Sequence, residues 1–227
     1  MRQYNAIGLL LVSYVLQNKK RKYLAFVLAV LAVGIHSTSA VVVIAIFVYR
    51  FIRPLKNLDV QVLFGAVLTI ALGYMFEPFL MLFVRLVPHY SMYIGDAGYT
   101  LSGYQSDGKK IIITLLFLAI STFAYLTIKK TKKIRTAFLI PDDLRMQFFF
   151  MVIAISLGLA GAKLQLIARM ESYFSIYSIV FIPKIFKMVQ SRYRKIFYIG
   201  FLFIMIIPML VQLRGNNSGV VPYSVFF

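Results

Sequence analysis

The stretch from Tyr23 to Phe51, YLAFVLAVLAVGIHSTSAVVVIAIFVYRF, decides the fold. It is apolar for 29 residues apart from its centre, Gly34-Ile35-His36-Ser37-Thr38-Ser39, and Arg50 near its end. One straight helix over it would be about 43 Å long at ~1.5 Å per residue, too long for a hydrocarbon core of about 30 Å. Two short helices, 23–35 and 38–50, meeting at the polar centre explain it better.

Charge supports the same choice. With two helices there, the basic stretches 17–22 (QNKKRK), 50–56 (RFIRPLK), 129–135 (KKTKKIR) and 187–195 (KMVQSRYRK) all fall on one side. One long helix would send 50–56 to the opposite side and break the pattern. Of the 25 Lys and Arg, 18 lie on the basic side, including Arg145 and Lys184; the other 7 are Arg2, Arg85, Lys109, Lys110, Lys163, Arg169 and Arg214. Cytoplasmic loops carry this excess, so the basic side is assigned to the cytoplasm.

Composition agrees with a membrane chain. Of the 227 residues, 61% are hydrophobic and 14% charged, too few polar residues to cover a soluble surface. Further apolar segments lie at 4–16, 58–84, 111–128, 147–165, 174–188 and 196–212. The expected fold is all-α: a polytopic transmembrane bundle of about eight short helices, one membrane domain over 1–227. The net charge of +18 sits in loops between apolar runs, a pattern of membrane orientation and not of nucleic-acid binding. With no Cys there are no disulfides and no thiolate nucleophiles, and two His leave little room for a metal site. No phosphate-cradling glycine loop or nucleotide-binding pattern is visible, so no cofactor is expected. No cleavable signal peptide is read at the start.

The outer face then holds the N-terminus, the 34–39 corner, the 85–110 loop, the 166–173 connection and the tail 213–227. The 85–110 loop is the longest and carries Asp96, Asp107, His89 and a set of Tyr. It is read as an extracytoplasmic loop and the default place for function.

Several residues could carry chemistry. His36 is a titratable ring at membrane depth, either a general base or anion ligand or a polar residue tolerated at the interface. Arg169, with Glu171, Tyr173 and Tyr177, forms a polar knot. Its guanidinium suits phosphate, and equally suits a snorkelling anchor. Arg2 and Arg85 are candidate phosphate contacts or simple flanks. Glu77-Pro78 falls inside 58–84; Glu77 is either an acid, ion or proton site or, on the preferred reading, an interfacial residue where the span ends near 76. An outer-face enzyme has no nucleotide sugar available there. Its donor must carry its own leaving group, and lipid-linked pyrophosphates fit.

Three runs carry a family resemblance. They are Arg2-Gln3-Tyr4-Asn5-Ala6 with its helix, the KKRK loop and a helix ending in Ile35-His36-Ser37; RMESYF at 169–174 with its following helix; and Val221-Pro222-Tyr223. Together with the aromatic loop 89–104 they resemble the EpsG family of Wzy-like bacterial polysaccharide polymerases. The resemblance implies a multi-pass protein of the bacterial cytoplasmic (inner) membrane, acting without metal or cofactor. It would polymerise undecaprenyl-pyrophosphate-linked oligosaccharide repeat units of exopolysaccharide, capsule or O-antigen. The implied catalytic residues are His36, Arg169 and Tyr173, with Arg2, Arg85 and Tyr223 toward the pyrophosphate. Implied partners are membrane lipids, a flippase and a chain-length regulator, with no nucleic acid. Members of the family are longer at the N-terminus, so the resemblance implies the C-terminal part of a longer architecture. Either the start is misplaced, the gene is truncated, or a second polypeptide supplies the rest. Two other functions compete: a flippase for lipid-linked sugars, which should show inverted repeats, and an acyltransferase modifying the polymer, which should give the His an acidic neighbour.

Overall fold

A computed structural model describes residues 2–53, 58–86, 108–134, 140–161, 165–189, 194–196, 198–203 and 206. They contain no strand and include eight α-helices, with further helical residues at 194–196, 198–203 and 206: α1 (Arg2–Asn18), α2 (Lys22–Ile35), α3 (Ala40–Ile52), α4 (Leu58–Leu86), α5 (Gly108–Ile134), α6 (Asp142–Gly161), α7 (Gln165–Ser175) and α8 (Ser178–Met188). A single 3-10 turn, Ser37–Ser39, links α2 to α3. The 29-residue run therefore breaks at its polar centre, with His36 in extended backbone between the two helices.

The core is built around α6. Phe148, Phe149 and Phe150 are all buried, which means every side of this helix is covered. It packs against α3, α4, α5, α7 and α8. Its start carries Pro141 just before the helix and Asp142 and Asp143 in the first turn, where carboxylates favour the positive end of the helix dipole. Asp142 and Asp143 are half-buried and Leu144 and Arg145 buried, all in helix, so α6 begins five residues before the expected 147; its described part runs to Gly161, and 162–164 lie outside the described residues.

Small residues set how closely the helices approach. A Cβ added at Gly158 would meet Thr114 Oγ1 of α5 at 2.5 Å, and one added at Gly65 of α4 would run into Val152 of α6. The Ser156 hydroxyl donates to the Gly65 carbonyl at 2.9 Å, tying α4 to α6. Contacts of this kind replace the hydrophobic drive that lipid cannot supply.

Two expected boundaries move. The segment 166–173 is helix, and the break falls at Ile176 and Tyr177, so 174–188 is not one helix. Instead α7 and α8 descend α6 as one kinked path. Tyr177 lies against Phe150, Phe181 against Phe148, and Lys184 reaches Asp143. The helix α4 also does not stop near 76; it continues through Pro78 to Leu86. The stretch 87–107, most of the expected outer loop, lies outside the described residues, as does the tail with Tyr223.

Among the described residues two helices are long and apolar enough to cross a membrane, α5 over Ile111–Lys130 and α6; Lys22–Ile35, Ser37–Ile52 and the first part of α4, Leu58–Ala71, are shorter apolar stretches. At ~1.5 Å per residue, α2 and α3 are each only about 20 Å long. Neither by itself spans a core of about 30 Å.

Candidate functional site

The basic stretches meet at the α6 N-terminus. Asp142 takes Arg53 Nε at 2.9 Å on one oxygen and Arg145 Nη2 at 3.0 Å on the other. Tyr49 Oη donates to the same carboxylate at 3.0 Å, and Arg145 Nη1 donates to the Arg53 carbonyl at 3.3 Å. Asp143 pairs with Lys184, while its carbonyl accepts from Tyr14 of α1 at 3.4 Å. Asp59 at the start of α4 pairs with Lys129 of α5 at 3.1 Å and accepts from Tyr125. Arg53 of the 50–56 stretch, Tyr14 ahead of 17–22 and Lys184 ahead of 187–195 thus meet at the start of α6, while Lys129 of 129–135 pairs at the start of α4.

The other candidate residues lie away from that end. The His36 ring stacks on Tyr173, with centroids 6.2 Å apart and planes 20° from parallel. Thr38 Oγ1 and Tyr173 Oη are 3.1 Å apart and share a hydrogen bond, which holds the phenol under the imidazole. Tyr173 is buried and His36 half-buried, and α1 packs on the 3-10 turn beside them.

Helix lengths locate this corner in depth. With its foot at Arg53, level with Asp142, α3 rises about 20 Å before reaching the turn. A second route agrees: Phe150 lies eight residues up α6, Tyr177 packs on it, and Tyr173 is one turn higher, which sums to about 18 Å. The 20-residue α6 reaches about 30 Å. His36 therefore lies about 10 Å inside the end marked by Gly161.

Arg169 precedes Tyr173 by four residues on α7. That register puts it on the same face, one turn nearer the Gly161 end; its side chain lies outside the described set. Arg2 opens α1 at the end away from Tyr14 and is exposed. Arg85 is also exposed, in the last turn of α4. Tyr177 is wholly buried, edge-on to Tyr14 with centroids 5.2 Å apart.

Sequence reading missed Thr38 and Ser39 as site residues. The Ser39 and Tyr177 hydroxyls are buried with no hydrogen-bond partner among the described residues. Buried hydroxyls are ordinarily satisfied, so these two are acceptors and donors in waiting, Ser39 in the corner itself and Tyr177 one turn of α7 below Tyr173. Only the run of hydroxyls Ser37-Thr38-Ser39 beside a His could have signalled them.

Apolar helices with the cations at one end, and a recessed imidazole and hydroxyls toward the other, define an integral-membrane class of protein. The chain belongs to the EpsG family, whose model matches residues 1–225, nearly its whole length. It is thus a membrane protein of polysaccharide biosynthesis. No curated protein and no solved structure matches it.

Proposed function

We propose that this chain joins lipid-linked oligosaccharide repeat units into polymer at the outer face of the bacterial cytoplasmic membrane, as a multi-pass protein whose basic end faces the cytoplasm. The observation that carries the reading is the His36–Tyr173–Thr38 cluster. It offers a half-buried imidazole beside hydroxyl groups, recessed from one end of an apolar bundle, in a chain of the EpsG family. On this reading α2 and α3 form a hairpin that enters and leaves from the basic side. That keeps the charge pattern while relieving each short helix of crossing alone.

The chemistry is a glycosyl transfer. An acceptor sugar hydroxyl attacks the anomeric carbon of the donor, the new C–O bond forms, and the bond to the lipid pyrophosphate breaks. The hydroxyl proton passes to His36, and the pyrophosphate leaves with the bonding pair. Arg169, one turn above Tyr173, and Arg2 neutralise its charge, as guanidinium forks suit phosphate oxygens. Tyr173 positions the imidazole, and Thr38 positions Tyr173. The low dielectric of the corner strengthens each of these interactions.

The test is genetic and chemical. Deleting the gene should stop long-chain polymer and leave single lipid-linked units. Wild-type chain should restore polymer, while His36→Ala and Arg169→Ala should not, at equal protein level. Because the chain has no Cys, single cysteines at 36 and 169 can be labelled cleanly and should both react from outside the cell. Unchanged chain length on deletion, full activity of both variants, or labelling of the two positions from opposite sides would reject the reading.

A further inference from the structure

Between α2 and α3, on a floor made by α1, runs an open apolar groove of about 610 Å³. Its walls are Phe26, Val30 and Val33 on one side and Val43 and Phe47 on the other. Phe26 is 70% exposed and Phe47 54%, so the described residues leave the groove uncovered. One end closes near Gly34, beside the His36 corner. The other opens at the basic end between Lys22 and Arg50, both exposed.

Among the described residues, the charge at that mouth has no counter-ion. Each carboxylate described at the basic end is already engaged: Asp59 by Lys129, Asp142 by Arg53 and Arg145, and Asp143 by Lys184. Among the described residues none pairs with Lys22 or Arg50, and the Arg50 guanidinium rests 5.5 Å from the centre of the Phe47 ring. An apolar slot about 20 Å deep with two free cations at its mouth matches one molecule shape: a single acyl chain ending in a phosphate.

We propose that this groove binds an anionic phospholipid from the leaflet on the basic side, its phosphate between Lys22 and Arg50 and one acyl chain between α2 and α3. Any lipid chain fills an apolar slot within a bilayer, so selection rests on the headgroup. Each Lys or Arg near an anionic headgroup is worth about fivefold in binding, so the pair sets a preference of about 25-fold over a zwitterionic lipid. The bound chain wedges α2 from α3 and so fixes the height of the corner that carries His36. The inference uses the membrane placement argued above but not the sugar chemistry.

The test uses the full chain in nanodiscs of phosphatidylcholine with and without phosphatidylglycerol, followed by detergent extraction and native mass spectrometry of retained lipid. One phosphatidylglycerol per chain should survive, preferred about 25-fold over phosphatidylcholine. The Lys22→Gln/Arg50→Gln variant should retain both lipids equally, and Ala29→Phe, which fills the groove without touching charge, should retain neither. Equal retention of both lipids by the wild-type chain would overturn the proposal. So would a preference that survives in the double variant, or unchanged retention in Ala29→Phe. A dimer that Ala29→Phe separates without altering lipid retention would do the same, by making a second copy the occupant. A photoreactive acyl chain on phosphatidylglycerol covers variants that fail to fold. In the wild-type protein it should mark α2 and α3, and labelling confined to other helices sinks the idea. Restoration of polymer by the wild-type chain is read separately, so loss of lipid selectivity and loss of the polymerase reading remain distinguishable.

Discussion

Replacing Gly65 by Ala puts a methyl group where α4 touches α6. A Cβ at this position would stand well under 3.0 Å from Cγ1 of Val152, against an optimum of about 3.5–4.0 Å. Val152 cannot swing away, because a β-branched residue in a helix holds essentially one rotamer. The helices must part instead. Parting stretches the bond from Ser156 Oγ to the Gly65 carbonyl, 2.9 Å in the native packing. Overpacking of this kind costs about 1–3 kcal/mol, and an interhelical hydroxyl bond in a membrane protein adds about 0.6 kcal/mol. A total of about 2–3 kcal/mol lowers Tm by about 4–12 °C for a chain of this length. Val152→Ala opens the missing space, so the double variant should be more stable than the two single effects predict, by about 1–2 kcal/mol. Gly158→Ala provides the contrast. Its obstacle is Thr114, whose side chain has two helical rotamers and can turn, so its cost should stay near ~1 kcal/mol. Thermal unfolding in detergent reads all four variants. Native stability in Gly65→Ala, or strict additivity with Val152→Ala, refutes the α4–α6 packing described here.

Two further substitutions probe the basic end. Lys20 ends α1 in the left-handed region, φ 63°, while Arg21 N–H bonds to the Leu16 carbonyl and Lys20 N–H to that of Gln17. This is a Schellman cap without its usual glycine, so Lys20→Gly should stabilise by about 1 kcal/mol in thermal unfolding, and a loss of stability would contradict the cap. Asp142→Ala strands Arg145, whose side chain is 10% exposed, and should cost about 2–3 kcal/mol, below the fully buried range because Asp142 itself is partly solvated. Adding Arg145→Met should recover most of that loss; additive destabilisation would show that the two residues do not act as a pair.

Much of the helix plan was legible along the chain. The polar interruption at 34–39 could not continue a 29-residue span, and α2 and α3 part at that point. The start of α6 was equally legible, since Pro141-Asp142-Asp143 is a helix-start signal, but apolar counting passes over it. The break between α7 and α8 was not: Ile176 and Tyr177 are neither Gly nor Pro, and the proline nearby, Pro183, sits inside α8. Nor could a local pattern pair Thr38 with Tyr173 across 135 residues.

Sequence alone determined that the chain is helical and apolar, because the hydropathy and period of each segment are local properties. Only the tertiary structure decided how deep His36 lies, that Tyr173 is stacked on it, and which carboxylates hold the basic end together. Depth and pairing come from which helices pack side by side and where each one ends, and that is settled by shape, glycine contacts and shared ion pairs between distant segments.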